Sequence, residues 1–234
     1  MSPLPSGITS MSADEARPPY IELMGDPLGT LFHHLWHEVA SLHVKWEEYV
    51  ELFGTKPSRI EILNSSSPMF FRLVQDTIWD ATLLHIARLT DPPKSKGKEN
   101  LTIQGLRELI TDPTALDKVS GLIEIAMGAS TFCRDWRNRK IAHSDLKLAT
   151  DETVKPLAPA SRKQVTDAIK AISEVLNAVG WHYTGSTTIF DIGGMGGAGQ
   201  LLAVLHDGLK AKTERRERRR RGEYREDDCR PVDL

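Results

Sequence analysis

From Pro27 onward apolar side chains recur every three or four positions, as Leu28, Leu31, Phe32, Leu35, Val39, Leu42, Trp46 and Val50. That spacing puts them on one helical face and predicts a long amphipathic helix ending at Gly54. A shorter helix over Ser58 to Leu63 precedes the break SSSP. Phe70, Phe71, Val74, Ile78, Ala81, Leu84 and Leu89 then resume the helical spacing. Pro92 and Pro93 disfavour helical geometry in the residue before them, so this second long helix is expected to stop at Asp91. KSKGKEN reads as an exposed basic loop, and Ile103 to Ile110 as a short helix with Thr102 as its N-cap. A third long helix is predicted from about Thr114 into CRDWRNRKIAHSD at 133–145. A fourth runs from Ala160 to Val179, carries Val165, Ile169, Ile172, Val175 and Leu176, and should end at Gly180. A Gly-rich loop leads into a last helix, Leu201 to about Arg221. With no internal repeat and no convincing set of strands, the fold class is all-α: a bundle of four or more long helices with short accessory ones.

Three regions follow. Residues 1–26 are rich in Pro, Ser and Gly without periodicity and are expected to be disordered, 27–210 to form one helical domain, and 211–234 to form a charged, Arg-rich tail. A chain of 234 residues, 40% hydrophobic and 26% charged, is long enough for one well-packed core. Its net charge of −2 excludes binding nucleic acid by bulk charge, so affinity for phosphate must come from local clusters. Only two cysteines, Cys133 and Cys229, occur, which argues against a disulfide framework. The chain has no apolar run of membrane-spanning length and no basic-then-apolar leader, so a soluble, cytoplasmic protein is expected.

The densest local chemistry is in 133–145, where three arginines, a lysine and a histidine surround one tryptophan. With each residue advancing about 100°, an uninterrupted helix would carry the apolar stripe of Ile125, Ala129, Phe132 and Trp136 on to His143. Arg139, four residues earlier, would share the face of His143, and Arg137 would lie about 120° round. An imidazole and a guanidinium where an apolar stripe emerges are partly desolvated, and a bridging phosphate diester would relieve that. A histidine titrating near neutrality can also move a proton. The residue types equally allow a duller account, in which RNRK is helix-termination chemistry and His143 a hydrogen-bonded core histidine beside Ser144 and Asp145.

The run Arg137-Asn138-Arg139-Lys140-Ile141-Ala142-His143 resembles the signature of HEPN domains, an arginine, often followed by a polar residue, four to six residues ahead of a histidine. Five residues intervene here. HIARLTDPPKSKGKENLTIQGLRELI at 85–110, RDWRNRKIAHSD at 134–145 and LLAVLHDGLK at 201–210 are similar to the abortive-infection, AbiU-type HEPN proteins of bacteria, over about residues 28–210. The resemblance implies a helical bundle that dimerises with its two motifs facing one another across a cleft. It also implies a metal-independent endoribonuclease without cofactor, acting on RNA in phage defence or as a toxin, with a neighbouring gene product as a possible antitoxin. Some relatives are instead non-catalytic domains that bind RNA, a nucleotide or a protein. By matching position Arg137 and His143 are the catalytic pair, and Asn138 is the polar residue that follows the arginine. Arg139 and Lys140 lie outside the family motif, and their expected phosphate contacts come from charge and helical phase.

Four other signals compete. GMGGAG, Gly194 to Gly199, has the glycine spacing of a dinucleotide site but lacks the parallel sheet such a site needs, so a hinge is its expected role. HHLWHE sets His33 and His37 one helical turn apart, as a metal pair would be, without further ligands in the spacing; no metal is expected. KTERRERRRRG at 212–222 holds seven basic residues against two acidic ones. It suits either an RNA backbone or a solvated helix balanced by the following EDD. Asp80, on the second long helix with His85 and Arg88, is placed to orient an arginine of the 133–145 segment or to face solvent.

Overall fold

The computed structural model describes residues 17–54, 56–95, 97–142, 146, 150, 153, 155–191, 197–225 and 228. They group into two compact units, Met1–His43 with Asp80–Asp191, and Val44–Trp79 with Ile192–Leu234. Helices α2 (Asp26–Phe53) and α4 (Pro68–Leu89) each contribute a segment to both. The architecture is the expected all-α one.

In the first unit, helix α1 (Arg17–Met24) occupies part of the segment that reads as aperiodic. Its prolines fall in the first turn, where a missing N–H costs nothing. Tertiary contact makes up for the absent periodicity: the ring of Tyr20 meets Phe32 edge-on at 4.9 Å, and Met24 is buried. Gly29 of α2 lets this contact form, because a Cβ there would lie 2.5 Å from the Tyr20 carbonyl oxygen. The apolar stripe of α2 is buried at Leu28, Phe32, Leu35, Val39 and Leu42.

After α4 the 94–99 segment, expected as a loop, forms a hairpin of two-residue strands, β1 (Lys94–Ser95) and β2 (Lys98–Glu99), turned by Gly97 at φ 76°. Thr102 caps a 3₁₀ turn at Ile103–Gly105, which runs into α5 (Leu106–Leu109). The third long helix divides into α6 (Pro113–Ala129), capped by Asp112, and α7 (Thr131–Trp136), with a π-helical turn at Arg137–Ile141. α8 (Arg162–Thr184) opens on a capping box between Ser161 and Gln164 and buries Val165, Ile169, Ile172, Val175, Leu176 and Val179. Burying a side chain of that size is worth roughly 1.5–3 kcal/mol, so α8 packed on α6 forms much of the core. α8 ends five residues beyond Gly180, at Gly185 with φ 66°. Gly180 serves close packing instead, since a Cβ there would meet the Ser186 carbonyl at 3.2 Å.

The second unit packs α3 (Pro57–Ser66) and α9 (Gly197–Arg220) around Leu52, Leu63, Phe71, Ala198 and Leu202. The N-terminus of α9 is held where the Ala198 N–H donates to the Glu48 carboxylate at 2.8 Å. That contact starts the helix four residues before Leu201 and places Gly197 and Gly199 inside it; Gly194 and Gly196 lie outside the described residues. The expected boundary at 210/211 falls within this continuous helix.

Candidate active site

The 131–141 segment is shaped by competition for carbonyls. Ser130 and Thr131 turn their hydroxyls back onto the chain, Ser130 Oγ donating to the Met127 carbonyl at 3.2 Å and Thr131 Oγ1 to those of Met127 and Gly128 at 3.1 and 3.0 Å. Such back-bonding offers the backbone an alternative to the helix ladder, and the helix breaks at Ser130. The 100° phase arithmetic therefore does not carry across it. Ile125, expected on the apolar stripe, is 60% exposed, while Ile123 and Ala126 are fully buried.

Beyond the break, Phe132 and Cys133 are buried. Burial pushes the Cys133 thiol up to about 12 despite the opposing pull of Arg134 and of a backbone hydrogen bond. Arg134 is wholly enlisted in structure. Its Nη2 donates to the Met127 carbonyl at 2.9 Å and its Nη1 to Thr90 Oγ1 at 3.1 Å. Thr90 is fully buried at the C-terminus of α4 and also accepts from Ser130 Oγ at 3.2 Å. On the same corner, Thr102 Oγ1 donates to the carbonyls of Leu89 and Asp91 and Gln104 Nε2 to those of Thr90 and Asp91. The segment Leu89-Thr90-Asp91-Pro92 is thus a fixed shelf, with every carbonyl from 89 to 91 engaged.

Asp91 presents its carboxylate from that shelf. Nη1 of Arg137 donates to both Asp91 oxygens, at 2.6 and 2.5 Å, with each side chain 23% exposed. Nε of Arg137 donates to Asn138 Oδ1 at 3.0 Å. Among the described residues Nη2 of Arg137 has no hydrogen-bond acceptor. The arginine stands where the backbone widens: the Ala142 N–H donates to the Arg137 carbonyl at 2.8 Å, five residues back rather than four. Single π turns inside helices occur often at functional sites.

The remaining candidates separate. Arg139 turns to the 155–158 strand of chain, donating to the Lys155 carbonyl at 2.5 Å and the Pro156 carbonyl at 3.3 Å, with Asp135 at 3.5 Å. Asp135 also accepts from the Ala158 N–H, and Trp136 Nε1 donates to the Ala158 carbonyl, both at 2.8 Å. Lys140 is exposed, its Nζ 4.7 Å over the Trp136 ring. Asn138 is exposed beside Arg137. The structure thus joins Arg137 to Asn138 and directs Arg139 and Lys140 to other neighbours. His143, with Ser144 and Asp145, lies outside the described residues.

Asp91 was missed in sequence, where Asp80 was the carboxylate considered for this role. Asp80 is half-buried in α4, and Arg137 pairs with Asp91 instead. The available signal was Asp91 itself: an acid just after a helix and held before Pro-Pro cannot turn with the helix and is fixed in direction. His85 and Arg88 instead meet Glu38 of α2, at 2.8 and 3.9 Å. His33 is buried with its ring 4.6 Å from that of His37, and among the described residues no group of three or more His, Cys, Asp or Glu is arranged to hold a metal. No helix among them is long and apolar enough to cross a membrane.

An all-α bundle, a shelf of Leu-Thr-Asp-Pro and an arginine of an Arg-to-His motif seated on it describe a HEPN-type domain. The family model HEPN_AbiU2, described as AbiU2, matches residues 25–195, and the chain belongs to that family of abortive-infection proteins. The match begins slightly before the expected 28 and stops short of 210, leaving α9 outside it. Comparison with curated proteins and with solved structures gave no match.

Proposed function

We propose that this protein is a metal-independent endoribonuclease of the HEPN type, with Arg137 and His143 as its catalytic pair at the cleft of a homodimer. The observation that supports the reading most is the seating of Arg137, held by Asp91 through one amino group while the other has no acceptor among the described residues. A salt bridge that consumed the whole guanidinium would serve stability alone; this one aims the free edge.

In the reaction, His143 as general base takes the proton of a ribose 2′-hydroxyl, and O2′ attacks the adjacent phosphorus. The bond from phosphorus to O5′ breaks, and the leaving oxygen takes a proton from a histidine, His143 or its counterpart in the second copy. Products are a 2′,3′-cyclic phosphate and a 5′-hydroxyl. Arg137 stabilises the charge that gathers on the phosphate oxygens. Because the nucleophile belongs to the substrate, RNA is cleaved and DNA is not. Asn138 fixes Nε of Arg137, and Lys140 is free to approach a flanking phosphate.

Incubating the purified protein with total RNA in EDTA, beside His143→Ala, tests this. Cleavage by the wild type alone, undiminished by the chelator, is the expected result. Loss of cleavage in EDTA with recovery on adding a divalent metal, or equal cleavage by both proteins, overturns it. The neighbouring reading, a non-catalytic HEPN domain that binds RNA, is what absence of cleavage in both proteins would leave.

A further inference from the structure

Seven cations from Lys212 to Arg221 line the end of α9 and the residue after it, and the structure divides them into two sets. At about 100° per residue, Lys212, Arg215, Arg216, Arg219 and Arg220 share an arc of about 140°. Glu214, Glu217, Arg218 and Arg221 lie on the opposite side. On that opposite side the positive charge is cancelled internally. Arg218 donates to the carboxylate of Asp228, which is buried, and Arg221 meets Glu223 at 3.3 Å. The turn that brings Asp228 back is built by Gly222 at φ 77° and by the Arg225 N–H donating to Asp228 Oδ2 at 3.2 Å. The arginine side chain and backbone hydrogen bonds hold the Asp228 carboxyl below the usual carboxylate range.

Among the described residues the basic arc receives no such cancellation. Lys212, Arg215, Arg216 and Arg220 are all exposed and have no carboxylate partner among the described residues; Arg219 reaches only the Asp228 carbonyl. Glu214 and Glu217 are four residues before Arg218 and Arg221, the favourable helical ion-pair spacing, and none of the four arc cations is paired to them. The two described acidic residues that follow the run, Glu223 and Asp228, pair with Arg221 and Arg218 rather than with these four cations. Asp228 is spent on Arg218, on the far side.

We infer that this face of α9 is a second RNA-binding site, separate from the Arg137 turn, that grips the phosphate backbone without reading bases. Five cations over the roughly 12 Å of axis between Lys212 and Arg220 span about two phosphates of an extended strand, or the two edges of a groove. An anionic membrane is the poorer fit: the side opposite the arc carries Glu214, Glu217, Arg218 and Arg221, and so offers no apolar face to enter a bilayer. The choice of RNA over other polyanions rests on the ribonuclease reading; the site's position and its liking for polyphosphate do not.

The test uses the full chain carrying His143→Ala, so that labelled RNA survives, and measures fluorescence anisotropy with a single-stranded 20-mer across a salt series. Lys212→Ala/Arg215→Ala/Arg216→Ala/Arg220→Ala is compared with the control Glu214→Gln/Glu217→Gln, and circular dichroism checks the helix in both. The neutralised arc should weaken binding ten-fold or more near 0.1 M salt and flatten the slope of log K against log salt by about 1.4, at ~0.7 for each of about two phosphate contacts. The acidic-side control should bind as tightly as the parent or tighter. Unchanged affinity and slope in the quadruple variant, or preference for phosphatidylglycerol vesicles over RNA, overturns the inference. Failure of the wild type to cleave, with the arc effect intact, sinks the ribonuclease reading and leaves this one standing.

Discussion

Two arginine-rich regions of this chain look alike in sequence and behave differently in structure. In the 131–141 turn, Arg134 goes to backbone and hydroxyl acceptors, Arg137 to a carboxylate, and Arg139 to two carbonyls. Along Lys212–Arg221, four cations on one face remain in water. The difference lies in the acceptors. The first region adjoins helix ends and loop carbonyls that need donors. The second is a helix surface whose own carbonyls are already used. Arginine density alone says little about role; the supply of acceptors around it decides whether the charge holds the fold or awaits a ligand.

The contrast can be broken from its strongest side first. Arg137→Ala should cut RNA cleavage at least a hundred-fold with the helical circular dichroism unchanged, the scale expected for removing charge stabilisation from a transition state. Asp91→Asn should leave the arginine present but poorly aimed. Cleavage is expected to fall about ten-fold and the folded state to lose about 1–3 kcal/mol in urea titration, the cost of leaving one partner of a half-buried pair unsatisfied. Full activity in Asp91→Asn would show that the shelf does not aim Arg137.

Arg134→Met sharpens the comparison, since this arginine is structural. It should lower stability by about 1–3 kcal/mol through loss of its charge-assisted hydrogen bonds to the Met127 carbonyl and Thr90 Oγ1, and lower activity only as far as the fold loosens. Cys133, buried with its thiol raised to about 12, should resist iodoacetamide in the native protein and react once urea unfolds it.

The smallest effect is a pH one. His43 donates from Nε2 to Ser173 Oγ, whose own proton goes to the Ile169 carbonyl, and its ring stacks on Phe190. Burial lowers its pKa, against the pull of Asp191. An unfolded chain takes up this proton as pH falls through about 6.5, before the folded one does. The stabilisation is complete above that pH and is lost below it. The drop in urea midpoint between pH 7.5 and 5.5 should be smaller in His43→Asn.

Periodicity made the first and fourth long helices legible: the spacing of Leu28 to Trp46 and of Val165 to Leu176 reports burial, and those positions are buried except Leu31, which is half-buried. What it could not show were interruptions set by side-chain hydrogen bonds. Ser130 and Thr131 look like ordinary helix residues until their hydroxyls take the Met127 carbonyl, and that one break undoes the phase on which Ile125 was placed. Glycine was ambiguous for a related reason. Gly180 and Gly185 are equally good stops in sequence, and only the neighbouring backbone distinguishes a residue needed for close approach from one needed for a left-handed turn. At the site, the family resemblance pointed to Arg137, while its partner Asp91 is 46 positions away, a distance no local pattern spans. Arg139 was assigned by phase to a phosphate, and the π turn and the 155–158 segment give its guanidinium other acceptors.

The central claim, that the Arg137 and His143 pair cleaves RNA by using the substrate's own 2′-hydroxyl, is tested most directly by end-group analysis on a matched pair of oligonucleotides, one RNA and one all-deoxy, in EDTA. The account predicts fragments ending in 2′,3′-cyclic phosphate and beginning with 5′-hydroxyl from the RNA, and an intact deoxy strand. Cleavage of both strands, or fragments beginning with 5′-phosphate, would contradict it.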